Sequence, residues 1–286
     1  MKQIFTIVLA VLASVLSVKF LLPQGGEAAA AKETAYERVM RTEVLRCGYA
    51  IWSPNLYYAD ANDKKSLTGY SFDVMNAVGK TLGLKVEWAE ETGWGVAEQG
   101  LNSGRYDVVC NDVCLQPSRT KAASFSHPFV LNNTYFFVRR DLAGPRDDFA
   151  WLNAPDKTGV VLRNTILEDF TSLQLPLAKQ MDASELSADM DILMGVAYKK
   201  ADFGLSNLPA LEKFMQANPN MVDVIAKPAG RCQSGFMLPP EDPQLKHMID
   251  SALLYLNEAG KIEDMIAKYM PMNKQNWTVP NTLGKE

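Results

Sequence analysis

Tyr106-Asp-Val-Val-Cys-Asn-Asp-Val-Cys-Leu-Gln-Pro-Ser-Arg119, followed at once by Ser124-Phe-Ser-His-Pro-Phe129, is the stretch on which the fold turns. Tyr106 to Cys110 reads as a buried strand, and the polar residues after it as a turn that presents a guanidinium. Ligands of open α/β sheets bind in the crevice beyond the carboxyl ends of the parallel strands, which is where such a turn places Arg119. Its planar fork fits a carboxylate through two parallel, charge-assisted hydrogen bonds.

The residues upstream supply the parallel neighbours that this reading needs. Val44 to Ala50 is an apolar, Gly-containing run that suits a buried parallel strand. Ser71 to Leu82 puts Phe72, Met75, Val78 and Leu82 on one helical face, and Gly83 ends it. Lys85 to Glu90 alternates as a strand does, and Val96 to Ser103 reads as a second helix stopped by Gly104. Strand, helix, strand, helix, strand between residues 44 and 110 predicts a parallel, doubly wound α/β sheet.

Downstream the pattern repeats. The β-rich Thr134-Tyr-Phe-Phe-Val138 precedes a second unit with a strand at Thr158 to Leu162 and a helix from Thr165. A segment around Ala183 to Tyr198, a strand at Asp202 to Ser206 and another at Val222 to Lys227 complete it. Gly235 to Leu238 reads as a strand returning to the first unit, closed by helices at Pro243 to Asn257 and Ile262 to Tyr269. The expected organisation is two lobes: residues 31–140 with 231–270, and residues 141–230. The chain crosses twice between them, near Arg139 to Leu142 and Lys227 to Gly235, which makes a hinged cleft. Residues 271–286, rich in Pro and Asn, are expected to be a mobile tail.

Composition narrows the function. A chain of 286 residues with 47% hydrophobic and 22% charged residues is foldable and globular. A net charge of −4 gives no electrostatic attraction to nucleic acid. Lys2, the apolar run Ile4 to Val18 and the small residues near Ala28 to Ala30 make residues 1–30 a signal peptide or an uncleaved membrane anchor. Either one exports the rest of the chain. Outside the cytoplasm, four cysteines favour disulfides over metal ligation. Cys47 and Cys110 fall on strands expected to be neighbours and form the preferred pair, which leaves Cys114 with Cys232. With only His127 and His247 and no Cys-x-x-Cys, a transition-metal site is not expected.

Leu45-Arg-Cys-Gly-Tyr49, Thr68-Gly-Tyr-Ser-Phe-Asp73, Leu101-Asn-Ser-Gly-Arg-Tyr-Asp107, Arg119 with Phe125-Ser-His-Pro128, and Gly235 near Asp242-Pro243 together resemble family 3 extracellular solute-binding proteins. These are polar-amino-acid receptors of ATP-binding-cassette importers. The likeness spans Tyr36 to Tyr269 and implies a two-lobe periplasmic flytrap of type II, acting as a monomer without cofactor and delivering a small carboxylate-bearing solute to a permease. It also implies site roles. Arg119 grips the solute's carboxylate, and Thr165 shares it from the second lobe. That agrees with the free N–H groups and dipole of a helix start. Trp52 and Trp94 flank the solute's body, while Tyr57 and Tyr70 read as structural.

The departures concern the rest of the pocket. The family's second-lobe Asp, which pairs an α-ammonium, is replaced here by Asn207. Asp112 stands where a Gly or Ser is usual, either to meet an ammonium itself or to form an ion pair with Arg119. Cys114 replaces a small polar residue, Gln116 a Thr and Asn164 a Gly. Two other functions fit the same fold. One is a membrane-anchored sensor or accessory protein. The other is a periplasmic dehydratase, for which Asp112, Glu168 or Asp169 would supply the acid, although no Ser–His set supports catalysis.

Overall fold

The computed structural model describes residues 33–184, 188–270 and 276–280. The leader or anchor expected at residues 1–30 lies outside them, as does most of the 271–286 tail.

Helix α1 (Ala35–Thr42) leads into β1 (Val44–Tyr49), and a short ribbon of β2 (Tyr57–Tyr58) and β3 (Leu67–Thr68) follows. Helix α2 (Tyr70–Leu82) starts directly after Gly69, whose φ of 130° and closeness to the Asn55 carbonyl leave no room for a side chain. It ends at Gly83 in the left-handed conformation, with the Gly83 N–H returned to Gly79 and Lys80. Its buried face is Tyr70, Val74, Met75 and Val78, so Phe72 stacks outside it on Trp88 instead. Strand β4 (Lys85–Glu91), helix α3 (Ala97–Ser103) and β5 (Val108–Cys114) complete a parallel layer in the order β4-β1-β5.

Strand β5 is longer than the sequence suggests. Asn111 to Cys114, read as a turn, stays extended because Val113 and Cys114 pair with Gly235 and Ser234 on the far side. Asp112 and Cys114 therefore sit on a rigid strand. Two disulfides, Cys47–Cys110 and Cys114–Cys232, each with Cα atoms 5.4 Å apart, tie this layer together.

After β6 (Ser124–Phe125) comes β7 (Val130–Arg139), whose lower half serves one core and whose upper half serves another. Val130 packs with Leu45, Val74 and Phe236, whereas Tyr135 to Val138 pack with Leu152, Phe203 and Leu211. The change of core thus falls within β7, before residue 140. The second lobe holds β8 (Thr158–Val161), α4 (Ile166–Gln174), β9 (Lys179–Asp182), α5 (Ala188–Ala197), β10 (Phe203–Asn207) and α6 (Leu208–Ala217). Neither β9 nor α6 was anticipated. β9 is polar and short at Lys-Gln-Met-Asp, so no apolar alternation announces it.

The two strands expected at Val222 and Gly235 are one, β11 (Val222–Leu238), with irregular pairing around Pro228. Its antiparallel ladder with β7 carries both crossings between the lobes in a single ribbon. Helices α7 (Pro243–Glu258) and α8 (Lys261–Ala267) cover the first core. Part of the expected mobile tail is docked: β12 (Trp277–Thr278) pairs with β7, and Trp277 is buried in the first core.

Helix α3 is fixed by Tyr106, a fully buried side chain whose hydroxyl donates to Ala97 O at 2.7 Å. A Cβ at Gly100 would fall inside that ring. Gly100→Ala is therefore expected to lower unfolding free energy by ~1–3 kcal/mol through overpacking, measured by urea denaturation. A neutral result would mean that α3 lifts from the sheet at little cost.

Candidate functional site

Where the two cores face each other lies a cavity of about 110 Å³. That suits a small molecule, since an apolar cavity of ~150 Å³ holds benzene. Its first-lobe wall comes from Trp52, Trp94, Asp112 and Arg119, and its second-lobe wall from Leu162, Thr165, Ile166 and Asn207. The β7–β11 ribbon adds Asn132, Thr134 and Ser234, and the Cys114–Cys232 disulfide forms part of the surface. Of the ligand contacts expected from sequence, only Asn164 is missing from the lining.

Arg119 follows a turn in which the Gln116 carbonyl accepts from its backbone N–H at 3.0 Å, and it is only 4% exposed. Its guanidinium spans the lobes. Nε donates to Asn164 O at 2.9 Å, and one terminal nitrogen donates to that carbonyl and to Trp94 O at 2.9 Å. The other terminal nitrogen lies 3.0 Å from Glu98 Oε1 on α3. Glu98, absent from the sequence reading, is thus the acid that balances Arg119. Asp112 is not. Asn164 acts through its backbone: its φ of 57° is left-handed, a conformation Asn tolerates, and its N–H is held by Glu168 Oε2 at 2.8 Å. Glu168 also pairs with Arg163, and Asp169 lines a separate groove, so Asp112 is the acid of those three that reaches the cavity.

Asp112 accepts from the Tyr70 hydroxyl at 2.5 Å and from Asn132 Nδ2 at 3.2 Å, both on Oδ2. Burial pushes its carboxyl up to about 7, against the lowering effect of those two donors. The Tyr70 hydroxyl is itself raised well above its ordinary value by burial and by Asp112, and it remains a donor. Tyr70, expected to be structural, is therefore part of the site. Its signal in the sequence was its place at the first turn of a helix that follows Gly69.

The second-lobe groups are held by their own helices. The Thr165 hydroxyl donates to Leu162 O at 2.7 Å and accepts from Leu167 N at 3.3 Å, capping α4. What it offers the cavity is a helix start, where N–H groups and dipole favour an anion. Asn207 caps α6 by accepting from Ala210 N at 2.9 Å. Trp52 and Trp94 meet edge to face with centroids 6.2 Å apart, touching each other where flanking walls were expected. Two donors on the lining, Trp94 Nε1 and Gln116 Nε2, are buried with no hydrogen-bond partner among the described residues. Such groups cost free energy until an acceptor meets them.

Comparison with known proteins follows the same lines. The family model described as bacterial extracellular solute-binding proteins, family 3, matches residues 45–272. The glutamate/aspartate import solute-binding protein of Escherichia coli is 24% identical over 281 residues, covering 93% of this chain and 89% of that one. The L-cystine-binding protein TcyA of Bacillus subtilis is 24% identical over 219 residues, covering 76% and 77%. Among solved structures, the ancestral amino acid-binding protein AncCDT-1, a precursor of cyclohexadienyl dehydratase, superposes with a TM-score of 0.70 at 25% identity, over 82% of this chain and 99% of that one. A histidine kinase sensor domain with similarity to periplasmic binding proteins shares the fold, with a TM-score of 0.68 at 19% identity over 80% and 96%.

Proposed function

The chain belongs to the bacterial extracellular solute-binding proteins, family 3, and on that premise we propose that it captures a small carboxylate-bearing polar solute in the periplasm for an ATP-binding-cassette importer. The observation that carries the proposal is a cavity between two cores, with a buried arginine on one wall and a helix start on the other. A carboxylate entering beside Thr165 competes with the neutral Asn164 carbonyl for Arg119. Both bonds to Arg119 are charge-assisted, but the carboxylate adds Coulombic attraction to the guanidinium and can take its fork through two parallel bonds. Trp52 and Trp94 give the solute's body an aromatic surface, and the donors on Trp94 and Gln116 find acceptors on it.

Opening and closing would bend the β7–β11 ribbon, the one connection through which both crossings pass. Solute contacts on both walls would then favour the closed arrangement. Among the described residues no helix is long and apolar enough to cross a membrane.

A thermal-unfolding screen against amino acids, organic acids and polyamines tests the reading. A true ligand at about 100 times its Kd stabilises the folded state by ~2.7 kcal/mol and leaves the solution chemically unchanged. Product formation from any screened acid would replace solute capture with catalysis.

A further inference from the structure

We propose that Glu98 sets how tightly the cavity holds an anion, as a built-in rival of the solute's carboxylate for Arg119. The inference rests on the solute-capture reading and adds to it a specificity-determining residue that lies outside the cavity lining.

The guanidinium of Arg119 has two working edges. Nε and one terminal nitrogen bond to Asn164 O across the lobes, on the side where a solute's carboxylate would replace that carbonyl. The other terminal nitrogen lies 3.0 Å from Glu98 Oε1. Glu98 is 16% exposed and sits on α3. That helix is pinned by the buried Ala97 and Leu101, and by the Tyr106 hydroxyl, which donates to Ala97 O at 2.7 Å. Trp94, Arg119 and Thr165 line the cavity, and Glu98 does not. A captured carboxylate and Glu98 would therefore stand on two edges of one guanidinium.

An acid so placed can either aim the guanidinium or discharge it. The aim is already set. Arg119 is buried, and it donates to Trp94 O at 2.9 Å on its own lobe, a bond that a solute displacing Asn164 leaves intact. What Glu98 adds is charge. Arg119 and Glu98 together are neutral, so a second carboxylate meets the attraction of the guanidinium and the repulsion of Glu98 at once. Taking away the Glu98 charge leaves a buried cation uncompensated in the empty protein. A bound carboxylate supplies the missing counter-ion, so part of the stability lost by the empty protein returns as affinity. Like charges brought together in a partly buried site weaken binding by ~10-fold or more. The effect acts through charge: a neutral carboxamide of the same shape feels little of it.

Titration calorimetry on the wild type and Glu98→Gln, which keeps the shape and removes the charge, tests this. The probes are the twenty L-α-amino acids, acetate, propionate, succinate and glutarate, each binder being compared with its carboxamide. Glu98→Gln is expected to bind the carboxylate ~10-fold more tightly and the carboxamide as the wild type does. Glu98→Asp, whose acid is drawn back by one methylene, should gain less, and it carries the same comparison if Glu98→Gln does not fold. Formate, the smallest carboxylate, probes the empty proteins. Exchanged for fluoride at constant ionic strength, it should raise the melting temperature of Glu98→Gln more than that of the wild type. A merely structural Glu98 gives the opposite sign, because its loss loosens Arg119 and weakens binding. Carboxylate affinity that is unchanged or lower in Glu98→Gln, or an equal gain for the carboxamide, would overturn the assignment and leave solute capture standing. If no probe binds the wild type but formate selectively stabilises Glu98→Gln, the Glu98 assignment holds and the capture of these acids is refuted. Neither binding nor a formate difference would remove both.

Discussion

Arg119→Ala is expected to abolish solute-induced thermal stabilisation, with affinity falling ~100-fold or more, as for removal of one partner from a buried, hydrogen-bonded charge pair. The same guanidinium bonds to Asn164 on the second lobe, to Trp94 on the first and to Glu98 on α3. Its loss therefore has two separable effects. The first is on binding, through the carboxylate that Arg119 would hold. The second is on the empty protein, because Glu98, 16% exposed, keeps its charge and loses its counter-ion. Breaking such a pair costs ~3 kcal/mol, at the low end because Glu98 retains some water.

A double variant separates the two. Glu98→Gln in the Arg119→Ala background should recover much of the lost stability and none of the binding. Arg119→Lys should keep the charge but lose the fork that reaches both carbonyls, so affinity stays low. If Arg119→Ala gives the same ligand-induced shift as wild type, the carboxylate is held elsewhere.

How much of this was legible in sequence depends on how local the signal is. Gly83 and Gly104 mark helix ends because each sits in the left-handed conformation, and the helices stop there as read. The parallel order of β1, β4 and β5 followed from strand–helix alternation alone. Asp112 was misplaced in a turn because what keeps β5 extended is β11, more than 100 residues away in sequence. Glu98 was invisible for a related reason. Nothing in Val96 to Ser103 says that α3 aims an acid at Arg119; only the packing of Tyr106 beneath Gly100 does. Pro228 concealed the continuity of β11, since proline inside a ladder reads as a break. Trp277 was hidden by its polar, Pro-rich surroundings, although one indole is enough to dock the segment on β7.

Asp107→Ala should be the most destabilising single polar change in the first lobe, at ~3–5 kcal/mol. This carboxylate is 1% exposed and shared by two arginines from separate elements. Arg38 on α1 reaches both its oxygens, with Nε at 2.9 Å from Oδ1, and Arg46 on β1 donates from Nη2 at 2.9 Å. Arg46 Nε at 3.3 Å and the Arg46 backbone N–H at 2.8 Å also donate to Oδ2. Removing the carboxylate leaves two guanidiniums facing each other and an N–H without its acceptor. Removing either arginine leaves the other in place, so Arg46→Ala should cost markedly less than Asp107→Ala. Urea denaturation should show a lower midpoint at unchanged slope, and thermal unfolding a fall of about 10 °C for a protein of this size. Asp107 stands immediately before β5, whose other end carries Asp112 and Cys114. A stability loss confined to unfolding, with binding intact below the new midpoint, would show that the disulfides alone keep Asp112 in register. Weakened binding by a folded Asp107→Ala protein would show that the ion-paired end of the strand also sets the position of the acid at the other end.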